Sequence, residues 1–107
     1  MKPRPKIRLS RLRDIGWTLW DPIGLMPSHL KWDDEGNLSF ADEYDSYLIY
    51  VAGQIRRGVI DSEVTNYLIK IETEHMGLPD GGIRTRKRAE SVVAAIRADK
   101  MVWSDSR

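Results

Sequence analysis

The sequence contains no cysteine and no long apolar run, and these two absences exclude several classes of protein. Without cysteine the chain has no disulfide, no thiolate nucleophile and no zinc site built from thiolates. No stretch approaches the roughly 20 consecutive apolar residues of a membrane-spanning helix. No apolar run follows the basic residues 1–6, so we expect no secretory signal. We therefore predict a soluble protein of the cytoplasm.

What the sequence does contain is the balance of a small folded domain. Apolar residues make up 41% of its 107 residues and charged residues 31%, which suffices for one modest core and a solvated surface. We predict a basic, flexible N-terminal segment over residues 1–8 and a single helical domain over residues 9–103. A chain this short buries only about two thirds of its surface, so a homodimer would be unsurprising.

The formal net charge is only +1, but the charges are distributed unevenly along the chain. Residues 1–13 carry six basic side chains and no acid, whereas residues 14–47 carry eight acids and one basic residue, Lys31. A second basic cluster consists of Arg84, Arg86, Lys87 and Arg88. Such segments are either an ordinary solvated surface or oppositely charged patches that steer a partner or pair two copies.

Apolar residues recur at helical spacing in four segments, at about residues 9–20, 40–57, 61–76 and 85–100. Ser10 and Asp61 are the predicted N-caps of the first and third helices. The predicted fold class is all-α, a compact three- or four-helix domain with a long Trp-containing loop. In the first segment Leu9, Leu12, Ile15 and Leu19 follow helical spacing. The three apolar stripes that we predict to shield one another from water are Tyr44, Tyr47, Leu48, Val51, Ala52 and Ile55; Val64, Tyr67, Leu68 and Ile71; and Ala89, Val92, Val93 and Ile96.

The second helix has the clearest pattern. Ser39, followed three residues later by Asp42, resembles a capping box at its start, and its outward face is interpreted as polar. Gly58 and Gly77 are predicted to end the second and third helices. Charges at the two ends of the second helix match the helix dipole, with Asp42, Glu43 and Asp45 at the start and Arg56 and Arg57 at the end.

The segment between the first two helices, residues 21–38, is predicted to be an ordered loop. Pro22 ends the first helix near Trp20, and the acidic stretch at residues 33–37 favours a tight turn. The alternative to an irregular loop is a short β-hairpin in which residues 30–32 pair with residues 38–40.

The most distinctive stretch is Trp17-Thr18-Leu19-Trp20-Asp21-Pro22-Ile23-Gly24-Leu25. A structural role accounts for it, because Asp21 can accept backbone hydrogen bonds of the turn that it begins, Gly24 permits a left-handed backbone and the indoles can fill the core. The functional alternative is an exposed aromatic surface that binds a partner protein. The partner-binding candidates are Trp20, Asp21, Trp32, Asp42, Glu43 and Asp45.

Two short motifs carry a resemblance to a known group of proteins. They are Trp-Asp-Pro-Ile-Gly at residues 20–24 and Asp-Glu-Tyr-Asp at residues 42–45. Over roughly residues 14–98 the chain resembles short bacterial proteins of unknown function, in which the first motif precedes a helix that opens with the second. The resemblance implies a small helical domain without an assigned activity, and it transfers no catalytic residue. Some such proteins look like immunity or antitoxin-type partners.

Sites of chemistry are weakly indicated. Asp42 and Asp45 lie at i and i+3 on one predicted helix face, but helix-dipole capping explains them better than a magnesium site does. His29 and His75 are far apart in the sequence, and neither is accompanied by a serine elbow or a thiol. We therefore predict no catalytic residue, no metal and no cofactor, with a carboxylate-based enzyme as the alternative.

Binding of nucleic acid is a further alternative. The third helix is interpreted as exposing Glu63, Glu72 and Glu74, and acids on that face argue against a recognition helix. The candidate anion-binding residues are instead Arg84, Arg86, Lys87 and Arg88, together with the basic residues in the range 2–13. We expect nucleic acid to be a less favoured partner than another protein or a second copy of the chain. The leading hypothesis is a non-enzymatic protein-interaction module.

Overall fold

The computed structural model describes residues 7–25, 31–33, 41–79 and 81–103, and the regular elements within these ranges are all helical. It confirms the predicted fold class, and no strand occurs within the described ranges. Two of the helices continue into a π-helical turn, here called the first and second π-turns. In chain order the elements are α1 (Leu9–Ile15), the first π-turn (Gly16–Trp20), α2 (Asp45–Arg56), α3 (Asp61–Lys70), the second π-turn (Ile71–His75) and α4 (Ile83–Ala98).

One hydrophobic core is shared by all four helices. The predicted inward stripes of α2 and α4 are confirmed, and α4 packs against α3 and the first π-turn. Loss of water contact by these apolar side chains is the main term that stabilises the domain. The buried members of the core are Leu12, Ile15, Trp17, Trp20, Tyr44, Leu48, Val51, Ala52, Ile55, Val64, Leu68, Ala89, Val92, Val93, Ile96 and Val102.

The helix starts differ from the predicted ones. Ser10 lies inside α1 and Asp61 is the first residue of α3, so neither is an N-cap. In the structure α2 begins at Asp45. Residues 42–45 form a turn at its start, in which the Asp42 carbonyl accepts the Asp45 N–H at 3.1 Å. Asp42 and Glu43 thus precede the helix instead of occupying its first turn. The predicted cap Ser39 lies outside the described residues.

The helix ends agree better with the sequence. Gly58 has a φ of +89° and Gly77 a φ of +70°, the left-handed backbone with which glycine commonly ends helices. Both predicted stops are therefore confirmed. Ile7 packs against the core and the Arg8 N–H donates to the Val102 carbonyl at 3.0 Å, so the folded domain includes these two residues.

The two π-turns were not predicted. In each, a backbone N–H donates to the carbonyl five residues earlier: Asp21 to Gly16 at 2.9 Å, and Met76 to Ile71 at 2.8 Å. At Gly16 a side chain would be blocked, because an added Cβ would lie 2.6 Å from Leu48 Cδ1. The glycine lets the end of the first helical segment approach α2 closely.

The predicted hairpin falls mainly outside the described residues, and residues 31–33, which are described, contain no strand. None of the helices found in the described ranges is long and apolar enough to cross a lipid bilayer.

Candidate functional site

The stretch that contains Trp17 and Trp20, residues 17–25, ends in a hydrogen-bonded turn. Asp21 has a left-handed backbone with a φ of 30°, and its Oδ1 accepts the Leu25 N–H at 3.0 Å and the Tyr44 hydroxyl at 2.8 Å. The Tyr44 oxygen in turn accepts the Ile23 N–H at 3.2 Å. Burial raises the pKa of Tyr44, so its hydroxyl keeps the proton that it donates to Asp21. The structural role predicted for Asp21 is confirmed.

Both indoles of this motif lie in the core. Trp17 Nε1 donates to the Ala41 carbonyl at 3.1 Å, and Trp20 Nε1 donates to Glu72 Oε2 at 2.7 Å. Only 3% of Trp20 is exposed. The prediction that the indoles fill the core is therefore confirmed. The alternative, in which Trp20 forms part of an exposed aromatic surface, is wrong, since its ring packs in the core and its one donor is already bonded.

Glu72 joins the two π-turns. It belongs to the second π-turn, accepts the indole N–H of Trp20 from the first, and accepts Arg88 Nη2 of α4 on its other oxygen at 2.6 Å. Only 1% of Glu72 is exposed, so its interpretation as an outward acid of the third helix is wrong. The signal was present in the sequence, because Val64, Leu68 and Glu72 repeat at a spacing of four residues.

This buried network has a structural explanation. Both carboxylate oxygens of Glu72 accept hydrogen bonds from protein groups, and its burial leaves a substrate no access to them. A buried ion pair contributes little net stability, but removal of one partner leaves an uncompensated charge. Glu72 therefore fixes how the two π-turns and α4 are placed relative to one another.

Asp45 and Trp32 are held against α1 by Arg13 and Asp14. Arg13 binds both carboxylate oxygens of Asp45, at 3.0 and 2.6 Å, and these bonds raise the pKa of Arg13. The guanidinium carbon of Arg13 also lies 5.2 Å from the centre of the Trp32 ring, and Trp32 Nε1 donates to Asp14 Oδ1 at 2.7 Å. Trp32 is half-buried by these contacts. Both partner-binding candidates thus have structural roles.

The predicted acidic cluster does not converge on a site. Asp42 and Glu43 are exposed, while Asp45 is bound to Arg13. Across the described ranges, no three histidine, aspartate or glutamate side chains are placed to hold a metal ion. Asp34, Glu35 and His29 lie outside those ranges.

The predicted anion-binding cluster on α4 is divided by the fold. Arg88 is bound to Glu72, and Arg86 Nη2 donates to Asn66 Oδ1 at 2.9 Å. Arg84 and Lys87 are exposed. Only the charge of Arg88 is compensated by an acid, because Asn66 is neutral and Arg86 remains exposed. Arg88 is therefore withdrawn from binding a phosphate backbone.

An aromatic surface between α2 and α3 was missed by the sequence analysis. The rings of Tyr50 and Tyr67 stack with their centres 4.3 Å apart, and the rings of Tyr47 and His75 meet edge to face at 5.7 Å. Burial, with smaller contributions from the neighbouring tyrosines, raises the pKa of Tyr67. We call Tyr47, Tyr50, Tyr67, Ile71 and His75 the α2–α3 surface.

Two shallow grooves meet at Tyr67. One has a volume of about 190 Å³ and includes Tyr50 and Val59 in its lining, and the other, of about 410 Å³, includes Ile71 and His75. The surface escaped notice because Tyr67 was assigned wholly to the core and the outward face of the second helix was interpreted as polar. Half of Tyr50 is exposed instead, at 48%.

Comparison with known proteins adds no further assignment to this geometry. No protein-family model, no curated protein sequence and no solved structure matches the chain.

Proposed function

We propose that this chain is a non-enzymatic protein-interaction domain of the cytoplasm, which binds another protein through the α2–α3 surface. The observation that carries the proposal is the exposed ring of Tyr50, which stacks on the partly buried ring of Tyr67 between two open grooves. Tyrosine is enriched in protein interfaces and among the residues whose removal weakens them most, because its ring is rigid, apolar and carries a polar tip.

The shape of the surface favours a protein chain over a small molecule. Small-molecule sites are concave and enclose most of their ligand, whereas both grooves at Tyr67 are shallow and open. The neighbouring side chains Glu63, Lys70 and Glu74 add a charged rim of mixed sign. An apolar centre with a polar rim is the usual composition of a protein interface.

The proposal replaces the candidate residues predicted from the sequence. Trp20, Asp21 and Asp45 have internal partners, so we assign them to the folding of the surface instead of to contact with the partner. An immunity- or antitoxin-like role, which the resemblance to short bacterial proteins suggests by analogy, is compatible with such a domain.

The experiment uses the tagged full chain, recovered from its native host with any bound proteins. We expect Tyr67→Asp to lose the bound protein and the α4 control Glu90→Lys to retain it. The recovered protein is then purified and mixed with the chain, and amide hydrogen exchange is measured. Protection confined to residues 47–75 is expected, whereas protection elsewhere, or equal capture by both variants, would overturn the proposal.

A nucleic-acid arm completes this test. The same chain is passed over immobilised duplex DNA and single-stranded RNA at two salt concentrations. Strong retention that collapses with salt and with the double variant Arg84→Glu, Lys87→Glu would favour the nucleic-acid alternative and contradict a purely protein partner.

A further inference from the structure

The outward face of α2 has an apolar centre. Ser46, Ile49, Tyr50 and Gly53 follow one another at i, i+3, i+4 and i+7 and so lie on one side of the helix. Ile49 is 46% exposed and Tyr50 is 48% exposed. Gly53 has open space where a Cβ would lie, so another backbone can approach closely there. We call these four residues the outer α2 face.

Opposite charges lie at the two ends of this face. Asp42 and Glu43 are exposed in the turn that precedes α2, and Arg57 is exposed just after its last residue. The helix dipole accounts for the placement of these charges. It does not account for the two large apolar side chains that remain in water between them, whose burial in a contact would be favourable.

We infer that the outer α2 face binds the outer α2 face of a second copy, with the two helices antiparallel about a two-fold axis. Antiparallel pairing places the acidic end of one helix at the basic end of the other, and it does so twice by symmetry. In the register centred between Ile49 and Tyr50, helical residues whose numbers add to 99 face each other, so Ile49 meets Tyr50 and Ser46 meets Gly53. The acidic turn that contains Asp42 and Glu43 then lies at Arg57 of the second copy.

The pairing is self-complementary in shape as well as in charge. The two large side chains Ile49 and Tyr50 lie at the centre, and the small residues Ser46 and Gly53 lie one turn outward on either side. Parallel pairing would instead place Glu43 beside Glu43 and Arg57 beside Arg57, where like charges repel. The charge order along the helix thus selects the antiparallel arrangement.

The contact made by one pair of helices is small. The helix of twelve residues is about 18 Å long, so one helix pair buries less than the roughly 800 Å² per partner of a standard interface. We therefore expect a dimer with a dissociation constant of about 10 to 100 μM, sensitive to salt because its charged ends remain close to water.

This inference deepens the proposed function and rests on it, because Tyr50 belongs to both surfaces. The second copy covers the side of Tyr50 that faces away from α3. The grooves at Tyr67 lie on the other side and stay open to a different protein.

The test is sedimentation equilibrium of the full chain and of two single charge reversals, Glu43→Lys and Arg57→Glu. Each reversal replaces two attractive contacts in the dimer by two repulsive ones. We expect each variant alone to dimerise at least about tenfold more weakly than the wild type. In an equimolar mixture the introduced lysine faces the introduced glutamate and the native Arg57 faces the native Glu43. The mixed dimer should therefore recover the wild-type strength.

Matched controls exclude a simple effect of net charge. Glu90→Lys and Lys87→Glu make the same two charge changes at exposed positions of α4, and both should dimerise as the wild type does. Ile49→Asp tests the apolar centre and should abolish the dimer. Circular dichroism verifies that each variant is folded. Because all of these positions are exposed, we expect the spectra of the variants to match that of the wild type.

Three results would overturn the inference. They are a wild type that stays monomeric up to about 1 mM, reversals that leave the dimer unchanged, and a mixture that does not recover. A monomeric wild type whose captured protein is still lost with Tyr67→Asp would remove the dimer alone and leave the proposed function standing. A dimer that forms as described, with no second protein bound at Tyr67, would instead remove the proposed function.

Discussion

The molecule contains two aromatic clusters that differ in how their polar tips are used. In the cluster at the first π-turn, Trp17, Trp20 and Tyr44 are buried, and each indole or hydroxyl group binds a protein acceptor. On the α2–α3 surface, Tyr50 and Tyr67 stack on each other beside open grooves. Residue type alone therefore does not show whether an aromatic side chain serves the fold or binds a partner. Its burial, and whether its polar group is hydrogen-bonded within the protein, do distinguish the two roles.

Measurements of the free energy of unfolding can test this difference between the two clusters. Changes in the buried cluster should lower the free energy of unfolding strongly, because they leave cavities or unpaired polar groups behind. A change at the exposed Tyr50 of the α2–α3 surface should leave the free energy of unfolding almost unchanged and act on binding instead.

The largest effect is expected for Glu72→Ala. It leaves the Arg88 guanidinium and the Trp20 indole N–H without their shared acceptor inside the domain. We expect a loss of about 3 kcal/mol, measured by urea unfolding, a large share of the net stability of a small domain. Glu72→Gln keeps the shape and one acceptor oxygen, so it should lose less, and equal losses for the two variants would contradict the role assigned to the charge.

An intermediate effect is expected for Tyr44→Phe. The variant keeps the ring between Trp17 and Trp20 but removes the hydroxyl that joins Asp21 and Ile23, at a cost of about 1 to 2 kcal/mol. Its dependence on pH sharpens the prediction. Burial raises the pKa of Tyr44 above its ordinary value of 10.0, so above pH 10 the unfolded chain releases a proton that the folded chain retains.

The stability contributed by Tyr44 is thus fully present below pH 10 and falls as the pH rises further. Tyr44→Phe should flatten the decrease in unfolding free energy between about pH 10 and pH 11.5, where each pH unit is worth up to about 1.4 kcal/mol per group. Wild type and variant curves that stay parallel over this interval would show that the hydroxyl is not shielded as the structure indicates.

The smallest effect on stability is expected for Tyr50→Ser. Half of this side chain is exposed, so we expect a change of about 0.5 kcal/mol in the free energy of unfolding. The affinity for the partner protein, measured by calorimetry, should fall by about tenfold or more. If Tyr50→Ser lowered the free energy of unfolding by more than about 2 kcal/mol and left the affinity for the partner unchanged, Tyr50 would be a structural residue and not a binding residue.

The fold was predictable because its helices follow regular apolar spacing. The stripe of α4 and the stops at Gly58 and Gly77 are local signals that need no knowledge of the tertiary structure. The starts of α2 and α3 were less predictable. Ile60 and Tyr44 precede these helices without a side-chain cap, so the usual cap residues mislead there.

The α2–α3 surface and the buried network were harder to predict, since both depend on contacts between separate segments of the chain. Trp20 and Glu72 are 52 residues apart, and neither residue by itself indicates that it binds the other. A π-turn also rotates the residues that follow it relative to the preceding helix, so regular helical spacing no longer predicts which of those later residues are buried. The outer α2 face, by contrast, was visible in the sequence as Ile49 and Tyr50, which interrupt a face otherwise interpreted as polar.

The hydrogen bond from the Arg8 N–H to the Val102 carbonyl places the entry and the exit of the domain side by side. Residues 7–103 can therefore be inserted between two neighbouring surface residues of a host protein without stretching either connection. In a fluorescent host split at such a point, unfolding of the inserted domain would separate the two halves. The domain would then report its own stability, and the binding of its partner, as a change in light emission inside living cells.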